Sequence, residues 1–153
     1  MRNKNLEKLE VLVGAWKLTL SDAWFLEPPG SEVHGSSTIE WLGDAFLVMR
    51  SQLEGEMSLA IGRSDARAAY MALYHDDRGV CRVFDMSFDE DGWTLTREDP
   101  DFHQRFIADV EQDRIAGRWE ASEDQAAPGG KTSIFSSREC RAGENVEGVV
   151  GRR

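Results

Sequence analysis

From Ala15 to Cys140 the chain alternates between apolar and polar side chains, interrupted at short intervals by Gly, Asp and Pro. The clearest stretch is FHQRFIADVEQDRIAGRWEAS, residues 102–122. Phe102, Gln104, Phe106 and Ala108 alternate there with His103, Arg105, Ile107 and Asp109. Beyond Glu111-Gln112-Asp113, Ile115, Gly117, Trp119 and Ala121 alternate with Ala116, Arg118, Glu120 and Ser122. Successive side chains of a strand point to opposite faces, so two such runs with a short polar link predict a hairpin. Gln, Arg and Glu sit beside Phe and Trp along most of it. A sheet closing only on an apolar core would show a cleaner split, so this pattern predicts a partly polar interior.

The same reading extends over the chain. Residues 15–21 form a first strand, with Trp16, Leu18 and Leu20 on one side. Nine more follow at about 31–41, 45–54, 57–63, 67–75, 79–88, 92–98, 102–110, 114–122 and 131–140. The links carry turn chemistry, for example Gly43-Asp44, Glu54-Gly55, Asp76-Asp77-Arg78-Gly79 and Asp89-Glu90-Asp91-Gly92. Asp and Gly supply the local hydrogen bonds and the positive φ that tight turns need. Ahead of the strands, residues 3–12 read as a helix with Leu6, Leu9 and Val13 on one face, Asn3 or Asn5 as cap and Gly14 as stop. Ten consecutive strands with short links predict an all-β antiparallel meander. A flat sheet would expose two edges, and closure into an up-and-down barrel removes both. Eight strands leave an interior that side chains nearly fill, and ten leave more room.

Two segments depart from this rhythm. DAWFLEPPG, residues 22–30, contains two prolines and a glycine but also Trp24, Phe25 and Leu26. It reads either as a plug packed on the body or as a lid over a cavity mouth. The stretch from Gly143, GENVEGVVGRR, lacks a core-forming pattern. The expected organisation is therefore one barrel domain over residues 1–142 and a flexible tail over 143–153.

Charge and size narrow the function. The chain has 153 residues and a net charge of −10, which argues against nucleic acid and against anionic membrane surfaces. No apolar run reaches the roughly 18 residues of a membrane span. The N-terminus MRNKNLEKLE has no apolar signal region, so the expected compartment is the cytoplasm. Cys81 and Cys140 stand alone without a CxxC and read as reduced thiols.

Several motifs together resemble a known group. Gly14-Ala15-Trp16, after a short helix and on the first strand, is similar to the Gly-x-Trp of the calycin superfamily, which includes lipocalins and fatty-acid-binding proteins. The chain more closely resembles a bacterial group of lipocalin-like barrels. The similarity lies in Ile39-Glu40-Trp41-Leu42, Phe46-Leu47-Val48-x-Arg50, Arg78-Gly79-Val80-x-Arg82, Phe102-x-Gln104-Arg105-Phe106 and Gly117-x-Trp119-Glu120-x-Ser122. It covers about residues 6–141. It implies a closed barrel in which Arg138 or Arg141 stacks on Trp16 at one end, and it implies a fold more than an activity.

The candidate chemistry is a set of polar and aromatic residues: Glu40, Arg50, Tyr70, Arg82, Phe84, Arg97, Gln104, Phe106, Trp119 and Glu120. Parity places Arg82 with Phe84 and Met86, Arg97 with Trp93 and Leu95, and Gln104 with Phe102 and Phe106. A charge sharing a face with large apolar groups is either buried and paired or sits at a rim. The expected role is binding a small apolar or amphipathic molecule, with no cofactor, and with a homodimer left open. Phe84, Met86, Phe106 and Trp119 would form the apolar wall. Arg82, Arg97, Gln104 and Glu120 would make the polar contacts. One alternative is a haem-binding, nitrobindin-like barrel using His103. Nitrobindins place such a histidine late in the chain, and this chain has none after His103. Another is a hydrolase or isomerase using Glu40 or Glu120 as acid–base groups. Gly62-Arg63-Ser64-Asp65-Ala66 half-resembles a nucleophile elbow but lacks the second glycine and the following helix. Gly130-Lys131-Thr132 imitates the end of a P-loop, yet a strand follows it. His34, His75 and His103 have no metal-site spacing.

Overall fold

The computed structural model describes residues 1–23, 26–28, 30–99, 102–122 and 131–139. Ten strands follow a short N-terminal helix. They are β1 Gly14–Ser21, β2 Val33–Leu42, β3 Phe46–Gln52, β4 Glu56–Arg63, β5 Tyr70–Asp76, β6 Cys81–Asp89, β7 Gly92–Asp99, β8 Phe102–Val110, β9 Arg114–Ser122 and β10 Lys131–Arg138. Each pairs antiparallel with its neighbours in sequence. β1 also pairs with β10, Trp16 lying opposite Arg138 and Leu20 opposite Ile134, so the sheet closes into a barrel.

The meander is the expected one, with three late starts that have local causes. β5 begins at Tyr70 rather than near residue 67. The Ser64 hydroxyl accepts the amides of Ala66 and Arg67, and Ala69 O accepts the Ser64 amide, so this segment folds on itself. β6 begins at Cys81 because the Asp76 carboxylate accepts the amides of Arg78 and Val80 and holds a turn there. β2 begins at Val33, where pairing with Leu20 starts.

The N-terminal segment is a 3₁₀ helix, Lys4–Leu12, capped by the Asn3 side chain, which accepts the Asn5 amide. Its buried residues are Leu6, Leu9 and Leu12, all 0% exposed, whereas the α-helical reading placed Val13 on that face. A spacing of three matches the three residues per turn of a 3₁₀ helix, so these leucines form one row. Each contributes roughly 1.5–3 kcal/mol on burial. The helix closes one end of the barrel over a core that includes Trp16, Leu47, Ile61, Ala72, Met86 and Leu95.

The helix end is tied down by Trp16 and Arg138. Trp16 Nε1 donates to Leu12 O at 2.8 Å. The Arg138 guanidinium lies 4.3 Å from the Trp16 ring centroid and donates to Val11 O, Val13 O and Gln112 O at 2.7–2.9 Å. Carbonyls that a helix end leaves without partners are thereby satisfied. Gly14 has φ +143°, and a Cβ there would lie 2.5 Å from Arg138 Nη1. A side chain at residue 14 would therefore displace the guanidinium. The expected stack on Trp16 is made by Arg138; Arg141, the other possibility, lies outside the described residues.

Candidate ligand-binding cavity

Inward parity runs through Trp16, Leu18 and Leu20 on β1, Ser37 and Ile39 on β2, and Met49 and Ser51 on β3. It continues through Leu95 on β7, Phe106 on β8, Trp119 on β9 and Ile134 and Ser136 on β10. Together with Trp93 and Tyr74, these side chains surround a cavity of about 500 Å³. From the helix-closed end it runs to the opposite end, where Leu53 to Met57, at the β3–β4 turn and the start of β4, and Asp76 to Arg78, at the end of β5 and in the turn after it, border it.

The wall is mainly aromatic and aliphatic. Trp119 packs on Phe106 at 5.0 Å and on Phe84 at 5.7 Å, and Phe106 meets Trp93 edge-on at 5.2 Å. Gly117 makes room for this cluster, since a Cβ there would lie 2.9 Å from the Phe106 ring and 2.7 Å from Ala108 Cβ. Among the polar wall groups, the Ser51 hydroxyl donates to Ser37 Oγ at 2.8 Å, and both serines are buried. Ser136 is buried as well. Trp93 is 3% exposed, and its Nε1 has no hydrogen-bond partner among the described residues. An unmet buried donor is costly, so it marks a place where an acceptor would gain most.

At the mouth, the Tyr74 hydroxyl donates to Asp76 Oδ2 at 2.7 Å, and Arg78 pairs with the same carboxylate at 2.6 Å. The bonds from Arg78, then from Tyr74, hold the Asp76 carboxyl well below the usual carboxylate range. Burial, then the bond to Asp76, raises the Tyr74 hydroxyl above its ordinary value, so Tyr74 remains a neutral donor near neutral pH.

The ten residues singled out from sequence fall in five places. Phe106 and Trp119 line the cavity. Phe84 is 1% exposed and supports Trp119 from behind. Arg82 and Gln104 meet each other at 3.2 Å near the open end, where the Arg82 guanidinium also lies 5.6 Å from the Tyr74 ring centroid. Arg97 stands opposite Gln104 in the sheet register and pairs with Asp99 at 2.5 Å. Glu40 and Arg50 form an ion pair at 2.5 Å on the outer face. Glu120 is an outer-face acceptor for Arg105 and Arg118, which hold its carboxyl below its ordinary value. Tyr70 is at the closed end, where its hydroxyl donates to Asn5 O at 3.0 Å. Met86, also assigned to the wall, is core at 4% exposure.

Neither carboxylate offered as an acid–base group lines the cavity. An acid poised near neutrality needs its pKa raised, and Glu120 is shifted the other way. His103 has the parity opposite to Gln104 and Phe106 and is not on the cavity wall. Among the described residues, no group of three His, Cys, Asp or Glu side chains is placed to hold a metal ion. No helix among them is long and apolar enough to cross a membrane. Trp24 and Phe25 of the plug-or-lid segment, Cys140 and the tail from residue 143 lie outside the described residues.

Sequence reasoning missed Ser37, Ser51, Ser136 and Trp93 as wall groups. The available signal was their parity with Ile39, Met49, Ile134 and Leu95. Serine at an inward position of a wide barrel leaves volume that a larger side chain would occupy.

No protein-family model matches the chain, and no curated protein matches it. Among solved structures, it is similar to the crystal structure of Rv2717c from M. tuberculosis. The TM-score is 0.64 at 10% identity, covering 92% of this chain and 100% of that one. That likeness establishes the barrel fold.

Proposed function

We propose that this lipocalin-like barrel binds one small, largely apolar molecule in its central cavity. The observation that carries the reading is volume: the closed ten-stranded barrel keeps about 500 Å³ open behind its mouth. Sites for small organic ligands occupy about 300–1,000 Å³, with mostly apolar walls and a few placed polar groups. Trp119, Phe106 and Trp93 offer stacking faces for a flat or branched apolar body. Trp93 Nε1 and the serine hydroxyls offer hydrogen bonds to one or two heteroatoms. Tyr74, Arg82 and Gln104 line up as a polar rim for an amphipathic end. The lipocalin-like reading also draws on Gly14-x-Trp16 and on the Arg138–Trp16 stack.

The test is a titration with the neutral fluorophore N-phenyl-1-naphthylamine, together with native mass spectrometry of protein purified from its own host. The expected result is saturable one-to-one binding, and a co-purified mass that the same fluorophore displaces. Replacing Ser136 by Phe, which pushes an aromatic ring into the cavity, weakens binding by about tenfold or more while leaving the β-sheet circular dichroism unchanged. Absence of saturable binding by the wild-type chain, or unimpaired binding by the Ser136→Phe variant, refutes the reading.

A further inference from the structure

A second concavity, of about 420 Å³, lies at the opposite, helix-closed end of the barrel. Its lining includes Lys8 of the 3₁₀ helix, Arg63 at the end of β4, and Ser64 and Arg67 of the following loop. In a chain of net charge −10, three cations on one concavity is a local inversion of sign. Arg67 pairs with Asp85 at 2.6 Å. Among the described residues, Lys8 and Arg63 have no ion pair, and Asp89 is the single carboxylate on the lining. Charges beyond about 8–10 Å are screened at physiological salt, so this local set outweighs the distant acidic surface.

Ser64 gives the groove a built polar floor. It is 9% exposed. Its hydroxyl oxygen accepts the amides of Ala66 and Arg67, each at 3.2 Å, which leaves the hydroxyl proton without an acceptor among the described residues. Two N–H donors on one oxygen polarise its O–H, making it a stronger donor to an anion. Beside these groups, Tyr70, Met86 and Phe88 supply an apolar and aromatic wall. Tyr70 is fixed there by its bond to Asn5 O.

We infer that this groove is a second binding site, for a phosphate monoester carrying a small aromatic or aliphatic group. The phosphoryl oxygens take the guanidinium of Arg63, the ammonium of Lys8 and the Ser64 hydroxyl. The organic part lies on Tyr70 and Phe88. Charge-assisted bonds to phosphate favour the planar arginine fork, and the apolar wall separates an ester from the free ion. The site is independent of the barrel cavity, because the two concavities share no lining residue.

The experiment is an amide-resolved NMR titration of the full chain with phenyl phosphate and with inorganic phosphate, at two salt concentrations. Phenyl phosphate is expected to bind with a Kd below about 1 mM and to shift the amides of residues 63–70. The shifts persist when N-phenyl-1-naphthylamine occupies the barrel. Inorganic phosphate binds at least tenfold more weakly. Arg63→Ala and Lys8→Ala, both at exposed positions, each weaken phenyl phosphate by about tenfold, whereas Arg63→Lys retains part of the affinity. Lack of shifts at residues 63–70, or an unchanged Kd in both alanine variants, overturns the site. Equal binding of the two phosphates overturns the organic ester as its ligand.

Discussion

Replacing Trp93 by Phe separates the two things this side chain does. Trp93 is 3% exposed, stacks edge-on against Phe106 at 84°, and carries a buried Nε1 without a partner among the described residues. An unmet buried donor costs about 1–3 kcal/mol. Phenylalanine removes that donor and keeps one aromatic ring against Phe106. It also gives up the burial of the smaller ring, a loss of about 1–2 kcal/mol by analogy with modest core truncations. The terms oppose, so the net lies between a loss of about 1 and a gain of about 2 kcal/mol, which for a chain of this size is within about 8 °C in Tm. Truncation to alanine, by contrast, costs about 3–5 kcal/mol. Binding distinguishes the roles more sharply. A ligand with an acceptor opposite Nε1 gains a hydrogen bond and relieves the unmet donor, worth about 1.4 kcal/mol, or tenfold in Kd. Quinoline and naphthalene have nearly the same shape and differ in one acceptor nitrogen. Calorimetric titration at pH 8 should show quinoline bound about tenfold less tightly by Trp93→Phe, with naphthalene changed by less than about twofold. Equal losses for both ligands would mean that Trp93 contributes shape alone. A stability loss above about 3 kcal/mol would mean that Nε1 is satisfied in the folded protein. Either result refutes the reasoning.

Two further outcomes follow from the ends of the barrel. Arg138→Met removes the stack on Trp16 and leaves the carbonyls of Val11, Val13 and Gln112 without their donor. Calorimetry should show about 3 kcal/mol lost, or roughly 6–12 °C in Tm. Arg138→Lys recovers little of it, because an ammonium cannot reach separate carbonyls and stack at once; a loss under about 1 kcal/mol in Arg138→Met contradicts the clamp. Asp76 governs an acid-sensitive contribution. Its folded-state pKa lies below its unfolded value, so its stabilisation is complete above about pH 5 and disappears progressively as pH falls below about 4. Urea denaturation midpoints between pH 7 and pH 3 should therefore fall less steeply in Asp76→Asn than in the wild type, and parallel pH profiles would count against that assignment.

The sequence was legible where structure depends on neighbours along the chain. Period-two alternation and Asp/Gly links predicted all ten strands, because parity and turn chemistry are local. Late strand starts at Tyr70 and Cys81 were not legible, since each depends on one side chain, Ser64 or Asp76, capturing amides two to four residues ahead. Parity also grouped Arg82 with Phe84, and Gln104 with Phe106. It could not say how far up the barrel each inward residue stands. That height depends on the stagger between strands, a property of the closed sheet as a whole. Hence Arg82, Arg97 and Gln104 gather near the open end, while Ser37, Ser51 and Ser136, unremarkable as sequence, occupy the wall. Glu40, Arg50 and Glu120 were drawn into the candidate set by their charge, and they pair on the outer face with cross-strand or same-strand partners.

Strand number and side-chain size together keep the interior open. Ten hydrogen-bonded strands spaced about 4.8 Å apart and tilted about 40° have a backbone radius of about 10 Å, against about 8 Å for eight. The sheet cannot shrink without breaking a ladder, so the interior is either filled by side chains or left open. At the helix-closed end it is filled: Leu6, Leu9, Leu12, Leu47 and Ile61 are all 0% exposed. Beyond them the inward positions turn small, with Ser37, Ser51, Ser136 and Gly117 facing Trp93, Phe106 and Trp119. Larger apolar residues at the serine positions would bury more surface, at about 0.8 kcal/mol per added methylene, so this half of the barrel lies below its attainable stability. Such a shortfall confined to one half of a closed sheet has a physical rationale if that half must admit another molecule. The Ser136→Phe variant therefore tests both arguments together: it should bind about tenfold or more weakly and melt no lower than the wild type.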